Sequence, residues 1–326
     1  MQSYYVQSGT EQTALERREV PVPEPAAGQV LVRMRAAGLN RGEIIAGHGL
    51  TKPGAAKPAG VEGAGEVAKL GAGVSVLRPG ERVMGRCAGA FAEYALMDAR
   101  EAVAVPERLS WEEAASVPLT FMVVHDMLIA QGRLVAGEWL LVTGISSGVG
   151  VAALQTAKAL GAKVIGTSGS AEKLERLKAI GLDVGLRTRA ADFLDAVIAA
   201  TGGKGANLVV NNVGVSVFAE CVRALAFQGR LATVGYVDGQ LKAEIDIDAL
   251  HAKRLVLFGV SNKLRSAAQR AESARGFVTD ILPFIADGRI RPVIDKVYAF
   301  DDLPAAKKHM ESNAHLGKIV VRMGGA

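Results

Sequence analysis

The chain has 326 residues, of which 49% are hydrophobic and 22% charged; this excludes a disordered or fibrous protein and leaves room for about two domains. The formal net charge is +5, with 38 Lys and Arg scattered among 33 acids. No basic block or nucleic-acid motif accompanies that excess, so nucleic acid is not an expected partner, and a phosphate-bearing ligand is at most a mild inference.

The opening MQSYYVQSGTEQT lacks the charged start and apolar core of a signal peptide. No run approaches the roughly 18 apolar residues of a membrane span. A cytoplasmic chain is expected, with Cys87 and Cys221 reduced. The first third is strand-like and Gly-rich: QVLVRMRAAGL, GAGEVAKLGAGV, ERVMGR, FAEYALMD and EAVAVP. Short β-rich runs broken by Gly and Pro predict an irregular barrel. From Trp111 the texture changes, and SWEEAASVPLTFMVVHDMLIAQG reads as two helices around Pro118. The spacing of Ser110 and Glu113 gives the first of them a capping box.

From Glu138 to about Gly239, strands alternate with helices. WLLVTG is followed by VAALQTAKALG, KVIGTSG by AEKLERLKAIG, DVGLRT by FLDAVIAATG, NLVVNNVG by VFAECVRALAFQG, and then comes RLATVGY. Nearly continuous apolar strands alternating with helices predict a doubly wound parallel sheet. LVLFGVSN (255–262) reads as a further strand. A long helix over about 266–287, a strand RPVIDKVYAF, a helix after Asp302 and a closing strand GKIVVRM complete the chain. The simplest place for that tail is back on the first domain, which makes the nucleotide domain an insertion.

The stretch LLVTGISSGVG ends a strand in small residues just where a helix begins. Ligands of doubly wound sheets bind at the carboxyl ends of strands. A helix starting there aims free N–H groups and a positive dipole end at the ligand. Gly144, Gly148 and Gly150 permit close approach of a pyrophosphate, Ser146 and Ser147 add hydroxyls, and Val149 offers its amide. The next strand begins thirteen residues after Gly150, the context of a dinucleotide site. An NAD site usually ends that strand in Asp or Glu, which holds the ribose 2′-OH. Here it ends Gly166-Thr167-Ser168-Gly169-Ser170, and the first acid, Glu172, already lies in the helix. Ser168, Ser170 and Lys173 suit a 2′-phosphate, with Arg187 or Arg189 beside Thr188 at the next strand end adding charge. NADP(H) is therefore the expected cofactor. The alternative reading of Lys173 is a solvated helix lysine.

With these residues in view, the chain resembles the zinc-independent quinone oxidoreductases (zeta-crystallin-like) of the medium-chain dehydrogenase/reductase superfamily, nearly end to end. The resemblance rests on AAGLNRGE, PAGVEGAGEVAKLGAGVSVLRPGERVMG, SVPLTFMVVHDML, VTGISSGVGVAALQTAKALGAKVIGTSGSAEKLE, GRLATVG and HLGKIVV. It implies an α/β chain with a GroES-like β-barrel catalytic domain (1–118 and 263–326) and an inserted Rossmann domain (119–262). It places Asn40 near the nicotinamide ribose and substrate, Thr120 near the nicotinamide, and Lys318 within reach of a phosphate, with a solvated strand lysine as the alternative for the last. Val213, Gly214, Gly235 and Tyr236 end later strands and are expected against ribose or nicotinamide; Val260 and Asn262 lie on the strand after them. The chain departs from the family pattern at Ser147, where glycine is usual, at Leu186-Arg187-Thr188-Arg189, which lacks a Tyr, at His125, and in GHGLTKPG, which has no Tyr.

In the superfamily's zinc branch a Cys stands where this chain has Asn40, and a Gly-His-Glu near Gly60-Val61-Glu62-Gly63. The five histidines (48, 125, 251, 309, 315) form no ligand set, so no metal is expected. The expected reaction is hydride transfer from NADPH to a quinone or an α,β-unsaturated carbonyl. His125, Tyr4 and Tyr5 are the candidates for a proton donor, and none of them is assigned the role. An enoyl-thioester reductase of the same fold and a non-catalytic NADPH-binding protein are the alternatives. The loops 44–57 and 242–252 are expected to wall the acceptor pocket, and the resemblance implies a homodimer or homotetramer paired through edge strands.

Overall fold

The computed structural model describes residues 1–9, 12–45 and 54–324. Residues 46–53, which hold His48 and most of GHGLTKPG and of the expected wall at 44–57, lie outside the described residues. The chain forms two compact units: Met1–Met122 with Ser266–Ala286 and Pro292–Ala326, and Val123–Arg265 with Asp287–Arg291. The divisions expected from sequence lie at 118/119 and 262/263, with 287–291 in the first unit. No helix among the described residues is long and apolar enough to cross a membrane.

The second unit is a six-stranded parallel sheet. Its strands lie in the order Val184–Arg187, Lys163–Ser168, Trp139–Thr143, Ala206–Asn211, Leu225–Thr233, Val256–Gly259. The strands are apolar along their length because helices cover such sheets on both faces. Leu141, Ile165, Val209 and Leu231 are fully buried in its core. Chain order reverses between Trp139–Thr143 and Ala206–Asn211, which is where an open parallel sheet splits into a crevice. The helix expected over VFAECVRALAFQG is shorter, Phe218–Arg223, and the strand already begins at Leu225. Gln228, at φ 58°, interrupts that strand and disguises it as a turn.

The first unit is a GroES-like barrel. Strands Gln29–Gly38, Glu62–Leu70, Arg82–Ala88 and Tyr94–Asp98 pair in sequence, and Tyr94–Asp98 pairs back onto Gln29–Gly38 to close it. The closing strand Lys318–Arg322 runs antiparallel to Gln29–Gly38, with Val320 opposite Gly38, and Ile294–Ala299 pairs with it in parallel. Both ends of the chain therefore build this unit. Alternate residues Val30, Val32, Val83, Phe91, Ile319 and Val321 fill its core. Ser110 caps the helix Trp111–Ala115: its Oγ accepts from Glu113 N, and Glu113 Oε2 accepts from Ser110 N. The helix expected over 266–287 breaks into Ala267–Asp280 and Leu282–Ala286, because Pro283 has no N–H for a continuous ladder.

Candidate functional site

The strand Trp139–Thr143 passes into the helix Gly148–Ala159 through a turn whose first residue, Gly144, sits at φ +62°. That conformation strains any side chain. The turn is anchored to the neighbouring strand: Gly144 N donates to Thr167 Oγ1 (3.2 Å) and Ile145 N to Thr167 O (3.0 Å). Gly150 and Gly166 serve packing. A Cβ on Gly150 would stand 2.5 Å from Ile145 O, and one on Gly166 2.3 Å from Ile145 Cδ1. Ser147 is the helix cap, its Oγ accepting from Gly150 N at 3.1 Å. Among the described residues the amides of Ser146, Gly148 and Val149 have no hydrogen-bond partner. They lie at the positive end of a 12-residue helix, the arrangement that binds a pyrophosphate.

At the end of the second strand, Lys163–Ser168, the structure gathers Ser168, Gly169, Lys173, Thr188 and Arg189. Ser168 is buried; its Oγ accepts from Ser170 N (3.3 Å), and its carbonyl accepts from Thr188 N (3.1 Å). Ser170 Oγ caps the helix Ala171–Lys178 by accepting from Lys173 N (3.3 Å). Of the two arginines left open by the sequence, Arg189 lies across Gly169, whose Cβ would stand 2.1 Å from Arg189 Nε. Asp192 is a carboxylate that sequence reasoning missed here. It accepts from Thr188 Oγ1 at 2.5 Å, which commits that hydroxyl within the loop.

The fourth strand ends on Asn211, whose Oδ1 accepts from Val213 N (3.0 Å) and Gly214 N (2.9 Å). Asn212 N donates to Thr143 Oγ1 (3.1 Å) and Asn212 Nδ2 to Thr143 O (3.2 Å), tying the two strands that flank the reversal. These asparagines shape the crevice and were not singled out from sequence. Gly214, at φ 126°, leaves room for Asp238, which accepts from Ser216 N (2.7 Å). Gly235 stands against Asn212, Tyr236 O accepts from Gly239 N, and Val260 N donates to Thr233 O. Asn262 is half-buried past the edge strand. His125 is buried on a π-helical turn, His125–Ala130.

In the first unit, Asn40 is the N-cap of the short helix Arg41–Ile44, with Glu43 accepting from Asn40 N at 2.7 Å. Asn40 Nδ2 donates to Glu62 Oε1 (2.8 Å) and Glu43 Oε1 (3.2 Å). Lys318 Nζ donates to Leu39 O (2.8 Å), Asn40 Oδ1 (2.9 Å) and Glu62 Oε1 (2.7 Å). All three ammonium protons are thus placed inside this unit, and Lys318 is 6% exposed; the phosphate contact weighed from sequence has no donor left. Burial, then the Glu62 carboxylate, pushes the Glu43 carboxyl up to about 8, against the pull of the Asn40 hydrogen bonds and Lys318. Thr120 is buried on the helix Pro118–Val124. Cys87 and Cys221 are free and buried, and burial pushes both thiols up. Among the described residues no group of three or more His, Cys, Asp or Glu is arranged to hold a metal ion.

Two family models match the chain: an alcohol dehydrogenase GroES-like domain over residues 26–107 and a zinc-binding dehydrogenase over residues 148–273. A solved NAD-dependent alcohol dehydrogenase is 30% identical, with a TM-score of 0.86 over 99% of this chain and 100% of its own. The chain belongs to the medium-chain dehydrogenase/reductase superfamily. Its quinone-oxidoreductase-like character is carried by relatives such as the Escherichia coli quinone oxidoreductase solved with NADPH, 26% identical with a TM-score of 0.86, covering 99% of this chain and 100% of that one. Among curated proteins, the highly reducing polyketide synthase ALT1 of Alternaria alternata is 31% identical over 94% of this chain. The chain spans only 12% of that protein's length.

Proposed function

We propose that this chain is an NADPH-dependent reductase that delivers hydride to a quinone or an α,β-unsaturated carbonyl without a metal. The observation that carries the reading is the end of the second strand, where Ser168, Gly169 and Arg189 meet, the strand itself ends without a carboxylate, and the nearby Asp192 is engaged by the Thr188 hydroxyl. A carboxylate there would repel a 2′-phosphate; a guanidinium and hydroxyls attract it. The residues fit the cofactor. The amides of Ser146, Gly148 and Val149 would take the pyrophosphate, and Gly144 at φ +62° keeps a side chain out of its path. Ser168, Lys173 and Arg189 would take the extra phosphate. Val213, Gly214, Gly235 and Tyr236 would line the ribose, while Asn40 and Thr120 are assigned to the nicotinamide end by the resemblance, with Val260 and Asn262 beyond.

When bound, NADPH supplies the hydride. The chain's own residues bind, orient and exclude water. No buried acid is assigned as proton donor, so the proton is taken from solvent. A conjugated acceptor suits this site because charge develops on an oxygen already linked to the reacting carbon, and a Lewis acid is not needed as it is for a simple alcohol. Lys318 fills with its ammonium the space beside Asn40 and Glu62.

The second reading, an enoyl-thioester reductase, is favoured by the match to a polyketide synthase over 94% of this chain. NADPH consumption by the purified protein with 1,4-benzoquinone and with crotonyl-CoA separates the two. Consumption with neither, together with tight NADPH binding, would leave a cofactor-binding protein without turnover. A homodimer is the proposed assembly. The strand Val256–Gly259 is an edge of the six-stranded sheet and offers backbone groups for pairing with a second copy.

A further inference from the structure

Glu62 opens the strand Glu62–Leu70 and is fully buried. Its carboxylate accepts three hydrogen bonds. Oε1 takes Asn40 Nδ2 at 2.8 Å and Lys318 Nζ at 2.7 Å, and Oε2 takes Leu119 N at 2.7 Å. The carboxylate thus joins the turn that carries Asn40 to the helix Pro118–Val124 that carries Thr120. Gly38 makes the space: a Cβ there would lie 2.8 Å from Glu62 Oε1 and 2.8 Å from Ala115 O. The Asn40 amide has one permitted orientation. Lys318 donates to Oδ1 while Glu62 and Glu43 accept from Nδ2; turning it over would set N–H₂ against an ammonium and C=O against the Glu62 carboxylate.

Stability alone does not call for such a cluster, since a buried ion pair is often no better than packed apolar side chains. What the cluster supplies is geometry. We propose that Glu62 is a positioning residue for hydride transfer, holding Asn40 and the Thr120 helix in one fixed relation, with Lys318 as its countercharge. This rests on the reductase reading above, which assigns Asn40 and Thr120 to the nicotinamide end.

Glu62→Gln keeps the shape but sets an amide N–H₂ against either Leu119 N or Lys318. The full-length variant is expected to lose about tenfold or more in kcat with whichever acceptor wild type reduces. Its Kd for NADPH should stay within about threefold, less than the contribution of one hydrogen bond. The double variant Glu62→Gln, Lys318→Met removes both charges and should regain thermal stability without regaining kcat. Wild-type kcat in either variant overturns the proposal; if the single variant does not fold, the double variant decides it in the same way.

If wild type reduces no acceptor, the reductase reading fails and the positioning claim is read separately. The Asn40 side-chain ¹⁵N resonance, assigned by its loss in Asn40→Ser, should be shifted and protected from exchange in wild type and should lose both properties in Glu62→Gln. An unchanged resonance in that variant sinks the proposal.

Discussion

Arg189 lies across the backbone of Gly169, so close that a β-carbon on Gly169 would stand 2.1 Å from Arg189 Nε. This glycine has no unusual backbone requirement of its own; its bare Cα is what lets a guanidinium from the third strand's end rest over the second strand's end. Gly169→Ala should push Arg189 away, and Arg189→Ala should remove it. Both should weaken NADPH by about tenfold or more, the loss of a charge-assisted hydrogen bond to phosphate, and leave NADH nearly unchanged. Fluorescence titration with each cofactor reads the difference.

Gly150 meets backbone rather than a flexible side chain. Its added Cβ would lie 2.5 Å from Ile145 O and 2.7 Å from Ile145 Cα. Gly150→Ala should cost about 1–3 kcal/mol, as overpacking of a tight contact does, and lower Tm by several degrees. Gly259→Ala meets nothing within 4 Å and should shift stability by no more than about 0.5 kcal/mol.

The Glu43 carboxyl is held up to about 8 by burial and by Glu62, from an ordinary value of 4.5. Glu62, Lys318, Asn40 and Cys87 are the groups that face it or feel its charge. Because the folded state holds its proton more tightly than the unfolded chain, this group's stabilising contribution is complete below about pH 4.5 and declines as pH rises through 8. The span corresponds to roughly 3–5 kcal/mol. Glu43→Gln should flatten urea-derived stability across that range and exceed wild type most at its alkaline end. A wild-type slope in the variant would show that Glu43 is not the titrating group.

Lys318→Met removes the cation that faces Glu62 and leaves a buried carboxylate with two N–H donors. A loss of about 3–5 kcal/mol is expected, recovered in large part when Glu62→Gln is added. Thermal unfolding of the two variants measures both.

The Rossmann unit was legible because its signals are local: each strand–helix pair spans about 20 to 30 residues, and periodicity changes within it. The glycine turn and the capping box of Ser110 with Glu113 were legible for the same reason. Where the chain uses unusual local conformations the reading slipped. Gln228 at φ 58° hid the start of a strand, and Pro283 divided a helix that periodicity alone would continue. The buried cluster was hidden for a different reason. Lys318 at the start of a strand looks solvated, and its partner Glu62 lies 256 residues away. Asp192 was obscured by the short loop in which it takes the Thr188 hydroxyl. The one sequence-level hint of the cluster was a charged Glu62 opening a strand whose next three residues are Gly, Ala and Gly, 22 residues from Asn40 along the chain but hydrogen-bonded to it.

The most direct measurement is the pair of dissociation constants of the wild-type protein for NADPH and NADH, taken at one salt concentration. NADPH should bind about tenfold or more tightly than NADH, because Ser168, Lys173 and Arg189 are the residues proposed to hold the 2′-phosphate. Equal affinities, or tighter binding of NADH, would contradict it.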